Sequence, residues 1–278
     1  MSNFALQLSF LSDEYPVDEL LVKSRVPGYT KRDGTYVKPH MRKGEVAITE
    51  RAHAHPRLGE KDEMVLIKDP HHASAPSTWH HPDAVATFVP DGDVPKSING
   101  IGLRAWADHP QTSEGWDYVD GQDDDLVEPG FHLPPGKKAA SGVIIEEPDG
   151  RVWLIHPTNQ FGGYQGSFPK GTAEPDLSLQ ANAIKEAFEE TGLQVEITGF
   201  LGDYERTTSV ARMYTAKRVG GTPVNMGWET QAVSLVPKAH LYDQLNMWSD
   251  HGIAEDIGAG ERPAAPPAQK ENAKNWLF

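Results

Sequence analysis

The sequence predicts an α/β fold of the α+β type, with the strands of a sheet flanking one well-marked helix. Three observations predict it. Ser178 or Asp176, beside Pro175, offers a helix start and Gly192 a stop, framing about four turns. Ile184 and Phe188, with Ala187, fall on one side of those turns at core spacing. Before and after them lie paired strand-like runs, 138–145 with 151–156 and 195–205 with 210–219. Pro148-Asp149-Gly150 turns the first pair and Arg206-Thr207-Thr208 breaks the second.

The other side of the helix is acidic. Glu186 and Glu190 are four apart and Glu189 is three after Glu186, so the three carboxylates share a face. Like charges at those spacings repel. A divalent cation relieves the repulsion, because Mg2+ or Mn2+ takes hard oxygen ligands, often a few carboxylates with water and substrate phosphate. Taken alone, the same three residues also suit a solvated helix face.

Their surroundings favour the cation. From Gly171 the chain resembles the Nudix box of the Nudix hydrolases. That box runs Gly, five residues, Glu, seven residues, Arg-Glu, an aliphatic residue, any residue, Glu-Glu, any residue, Gly and an aliphatic residue. Gly171, Glu186, Glu189, Glu190, Gly192 and Leu193 fall in register, and Phe168-Pro169-Lys170 matches the run that commonly leads into the box. Leu177 stands where the family has its first Glu and Lys185 where it has Arg, and Ala187 is smaller than usual. In the family those two charges are thought to brace the loop against the helix. Losing both leaves no orphan charge, and because Lys185 lacks the fork of Arg, the loop is expected to be held more loosely.

The resemblance implies an α/β/α sandwich with a mixed sheet. It implies metal-dependent hydrolysis of a diphosphate linkage in a nucleoside diphosphate derivative, of the ADP-ribose or dinucleoside polyphosphate type. Gly171, through its carbonyl, Glu186, Glu189 and Glu190 are the expected ligands of Mg2+ or Mn2+. Glu190 or Glu229 is the expected base, with Glu189 beside them. Lys170 and Arg151 are candidates to hold the diphosphate. Tyr164 and Trp153 are candidates to stack on a base, although either suits packing as well. A catalytically weak nucleotide sensor is the alternative that Leu177 and Lys185 leave open. Members often dimerise, so a homodimer is part of the expectation.

The remaining chain bounds this reading. The 278 residues carry a formal charge of −14, no Cys, 22 Pro and 26 Gly. Disulfides, thiolate metal sites and Cys nucleophiles are thereby excluded. No apolar run reaches transmembrane length and the opening has no basic leader, so a cytoplasmic protein without membrane contact is expected. Charge is uneven: residues 23–57 hold nine Lys or Arg against Asp33, Glu45 and Glu50. With Tyr29, Tyr36 and His40 interleaved, and Asp33-Gly34 as a hairpin turn, that arm has the composition of a nucleic-acid contact, or of an exposed basic tail.

The expected organisation is a basic arm at 1–57, a loop-rich accessory region at 58–135, the Nudix-like domain at 136–258 and an Ala/Pro-rich tail at 259–278. In the accessory region 64–67 and 84–89 read as strands and Trp106 and Trp116 as packing residues. His53, His55, His71, His72, His80 and His81 shape a loop surface more readily than a metal site, because adjacent strand residues face opposite ways. After the helix, 227–237 reads as a late strand, and 238–247 as a last helix.

Overall fold

The computed structural model describes residues 53–260 and, before them, the backbone of four short strands. These are β1 (Lys23–Val26), β2 (Tyr29–Thr30), β3 (Tyr36–Val37) and β4 (His40–Lys43). They belong to a unit spanning Met1–Ala52, in which β1 pairs with β4 and β2 with β3, both antiparallel. Tyr29 lies opposite Val37 and Thr30 opposite Tyr36. The expected Asp33-Gly34 turn, the arm's side chains and residues 261–278 of the tail lie outside the described residues.

The second unit begins at His53. Its first strands, β5 (His53–Ala54) and β6 (Leu66–Ile67), pair with each other. The accessory stretch then supplies β7 (Ala86–Phe88), the small hairpin β8 (Ser97–Ile98) and β9 (Ile101–Gly102), and a short helix, α1 (Ser113–Asp117). Next come β10 (Lys138–Glu146), β11 (Arg151–Pro157), β12 (Lys170–Thr172), α2 (Leu179–Thr191), β13 (Leu193–Glu205), β14 (Ser209–Gly221) and β15 (Thr230–Pro237). The last elements are α3 (Leu241–Gln244) and α4 (Trp248–Asp256).

Seven strands form one mixed sheet in the order β13-β14-β10-β11-β15-β7, with β12 also on β10. Only β10 and β14 run parallel, in continuous register from Lys138–Ser209 to Glu146–Lys217. β10 meets β11 at Glu146–Val152 and then parts from it, so its first half is free to pair with β12 through Ala140, Ser141 and Gly142. This fork brings Lys170 and Gly171 beneath α2. β10 is buried continuously from Ala140 to Ile145, as befits a central strand covered on both faces.

On one face α2 packs Ala183, Ile184, Ala187 and Phe188 onto Val143, Ile145, Val195 and Tyr214. On the other, Leu241, Leu245, Ile253 and Ala254 cover Ile144, Val152, Leu154 and Met213. The expected sandwich is therefore present. The accessory stretch belongs to this core: β7 pairs with β15, and Trp79 stacks 5.7 Å from Trp153. Trp106 meets Phe188 edge-on at 5.3 Å, with Trp116 at 5.9 Å from the same ring.

One element differs from expectation. The last helix does not run from 238 to 247; α3 stops at Gln244, and the main helix of that face is α4. Asn246 explains the break. Its side chain donates to the Gly163 carbonyl at 2.8 Å and accepts the Gln165 N–H at 2.8 Å, tying the chain to the loop before β12 and preventing a continuous helix.

Candidate active site

Helix α2 carries the acidic face and is fixed at both ends. Ser178 caps it, its Oγ accepting the Ala181 N–H at 2.9 Å. Gly192 ends it in the left-handed region at φ 70°, where a side chain would strike the Thr222 carbonyl. Held in this way, α2 sets Glu186 over Gly171, so closely that a Cβ at 171 would run into the Glu186 carboxylate. Glu190 Oε2 accepts the Lys170 N–H at 2.7 Å. Glu189 Oε2 lies 2.7 Å from the Lys185 ammonium.

The electrostatics follow from this crowding. Burial, then the charge of Glu189, pushes the Glu186 carboxyl up to about 8. Glu190 is raised by burial and by Glu186, although the Lys170 charge and N–H work against the rise. Glu229, just before β15, is raised by burial and by Glu189. Four acidic side chains, three on α2 and one just before β15, thus share one field, with Lys185 and Lys170 as partial counterweights.

A family model described as the NUDIX domain matches residues 136–255. These residues form a NUDIX domain. An RNA pyrophosphohydrolase of Caulobacter vibrioides is 38% identical over 66 residues, 23% of this chain and 38% of that protein. A MutT-like protein of Streptomyces ambofaciens is 31% identical over 101 residues, 36% of this chain and 63% of the relative. The chain thus covers less than two thirds of either relative. A NUDIX hydrolase structure from Nitrosomonas europaea is 20% identical and aligns over 45% of this chain and 69% of that one, with a TM-score of 0.38.

Within the NUDIX domain, Lys170 and Tyr164 come together: the ammonium lies 4.9 Å over the ring and contacts Ser167 Oγ. Arg206, outside every motif of the sequence, joins them from the turn between β13 and β14. It donates to Tyr164 Oη at 2.8 Å and to buried Asp250 at 2.6 Å. Nothing in the spacing of Tyr164, Arg206 and Asp250 could have revealed this, because three separate elements supply them.

Two candidates stand elsewhere. Arg151 is buried, its guanidinium committed to Asp149 at 2.8 Å and to the Trp79 carbonyl at 2.6 Å, so its charge is already matched away from the carboxylates. Trp153 is fully buried, and its Nε1 donates to Glu147 at 2.9 Å, which removes it as a base-stacking surface.

The two departures in the box leave no orphan charge, as expected, but the loop is not left without a brace: Lys185 bridges Glu174 at 2.9 Å and Glu189 at 2.7 Å. Burial works against its charge, but those two contacts outweigh it and hold the ammonium above its usual range. Leu177 packs against the core.

Among the described residues no three His, Asp or Glu side chains converge on one ion position. The chemistry of the donors nevertheless fits a hard divalent cation. Glu189 and Glu229 raise Glu186, and Glu186 and Glu229 raise Glu190, so the carboxylates lie in one field. Glu189 is the donor that would have to leave Lys185.

Proposed function

We propose that the NUDIX domain catalyses metal-dependent hydrolysis of a diphosphate linkage in a nucleotide derivative. The observation that carries this reading is the placement of two α2 carboxylates at the head of β12: Glu186 lies against Gly171, and Glu190 accepts the Lys170 N–H at 2.7 Å. Carboxylates kept together at such electrostatic cost suit a site built for positive charge.

Glu186, Glu189 and Glu190, with the Gly171 carbonyl, would hold Mg2+ or Mn2+. When bound, the ion supplies neutralisation of the phosphate oxygens and an acidified water. Lys170 contributes a cation with no carboxylate partner among the described residues, which suits a phosphate oxygen. Its N–H fixes the Glu190 carboxylate. Tyr164, steadied by Arg206, offers a ring beside that cation.

Glu229 is the proposed base. Its side chain reaches solvent although its carboxyl is partly desolvated, it accepts no side-chain hydrogen bond among the described residues, and its raised pKa makes it a competent proton acceptor. In the reaction, water oxygen bonds to phosphorus, its proton passes to the Glu229 carboxylate, and the bridging P–O bond breaks with its electron pair on the departing phosphate.

The relatives' names include an RNA pyrophosphohydrolase. The substrate panel therefore spans ADP-ribose, diadenosine polyphosphates, NAD, nucleoside triphosphates and 5′-triphosphorylated RNA, each with Mg2+ or Mn2+. Metal-dependent cleavage of at least one, lost in Glu190→Gln, is expected. Ligand binding without turnover across the panel would establish a sensor instead.

A further inference from the structure

We propose that Glu174 is a positioning residue for the α2 carboxylates, acting through Lys185. Its bearing on catalysis rests on the hydrolase reading above; its bearing on the fold does not. Lys185 Nζ lies 2.9 Å from Glu174 Oε1 and 2.7 Å from Glu189 Oε2, so one ammonium serves two carboxylates. The lysine side chain is only 14% exposed, and Glu174 is 38% exposed.

Glu174 is well placed for this work. Its backbone N–H donates to Asn182 Oδ1 at 3.0 Å, and buried Asn182 donates in turn to Ser141 Oγ on β10 at 3.0 Å. The Glu174 carbonyl accepts the Leu177 N–H at 3.2 Å. The turn entering α2 is thus pinned to the sheet at residue 174, and its carboxylate reaches Lys185 from a fixed point.

Two consequences follow from sharing the ammonium. The Glu174–Lys185 contact ties the loop after β12 to the helix, although position 177 is occupied by Leu. It also divides the charge of Lys185 between two carboxylates. Without the Glu174 charge, Lys185 is left to Glu189 alone and draws that carboxylate away from any cation on the acidic face.

The test uses the full-length chain, with Glu174→Gln, Lys185→Met and the double variant. Mn2+ affinity is followed by electron paramagnetic resonance and thermal unfolding is measured in EDTA. E174Q is expected to weaken Mn2+ binding by about fivefold and to lower the melting temperature. In the double variant, loss of the competing ammonium should return Mn2+ affinity above that of E174Q, and the two melting shifts should be coupled. Wild-type affinity and melting in E174Q, or strictly additive shifts, would overturn the proposal. The two readings fail separately. Wild-type protein that turns over no diphosphate removes the hydrolase, while coupling measured in EDTA still supports the strap. Normal turnover with an indistinguishable E174Q removes only the role of Glu174.

Discussion

The backbone N–H of Lys170 is bonded to Glu190 Oε2 at 2.7 Å, while the ammonium of the same residue lies 4.9 Å over the Tyr164 ring. One residue therefore does two separable things: its main chain orients a carboxylate of α2 and its side chain supplies a cation.

Lys170→Ala keeps the first and removes the second. For the preferred nucleotide substrate, KM should rise by about tenfold to a hundredfold with little change in kcat, the pattern of lost uniform binding by a charge-assisted contact. Steady-state kinetics check this. A fall in kcat at constant KM would assign the ammonium to the transition state instead.

Glu229→Gln should lower kcat by about a hundredfold or more while Mn2+ affinity changes less than about twofold, since a base rather than a ligand is removed. The pH–rate profile should lose its acidic limb. If turnover is unaffected, the proton goes elsewhere, and Glu190 becomes the base.

The elevated Glu186 predicts a pH signature in metal-free protein. Its folded pKa, about 8, lies above the ordinary value of 4.5. The folded state therefore holds the proton more tightly than the unfolded chain does. The resulting stabilisation is complete below about pH 4.5 and is lost as pH rises through 8. In EDTA, wild type should lose melting temperature relative to Glu186→Gln between pH 5 and 8. A constant difference over that range would rule out the elevated carboxyl. Mn2+ affinity should rise over the same window, because binding expels the proton.

Arg218 and Glu147 form an ion pair in which both side chains are fully buried. Glu147 also accepts from Trp153 Nε1 and Asn99 Nδ2, and Arg218 donates to the Ile98 carbonyl at 3.1 Å. Glu147→Ala leaves a guanidinium unpaired in the interior and should cost about 3–5 kcal/mol in urea unfolding. Glu147→Leu with Arg218→Met should recover a large part of that loss.

Much of this architecture was legible because local signals agreed. Ser178, Gly192 and the Ile184–Phe188 spacing specify α2, and the strands on either side carry continuous apolar runs with turn residues between them. What escaped has a common cause in tertiary contact. Asn246 ends α3 by bonding a loop some eighty residues earlier. Arg206 reaches Tyr164 and Asp250 across three elements. Arg151 reads as a free cation in the sequence, yet Asp149, two residues away, already claims it in the fold. The charged partner of Lys185 was hidden for a different reason: Glu174 sits three residues before the place where the box pattern directs attention.

The aromatic wall beneath α2 sets the limits of any excised fragment. Trp106 and Trp116 close over Phe188, and Trp79 over Trp153. A protein started at Gly136 would keep every box residue, yet would present Phe188 and Trp153 to water and leave β15 with an open edge where β7 had been. Such a fragment should precipitate or self-associate on size-exclusion chromatography, whereas one started at His53 should remain monodisperse. The stretch ahead of the family domain thus forms part of its lining, and experiments on the protein have to carry it along.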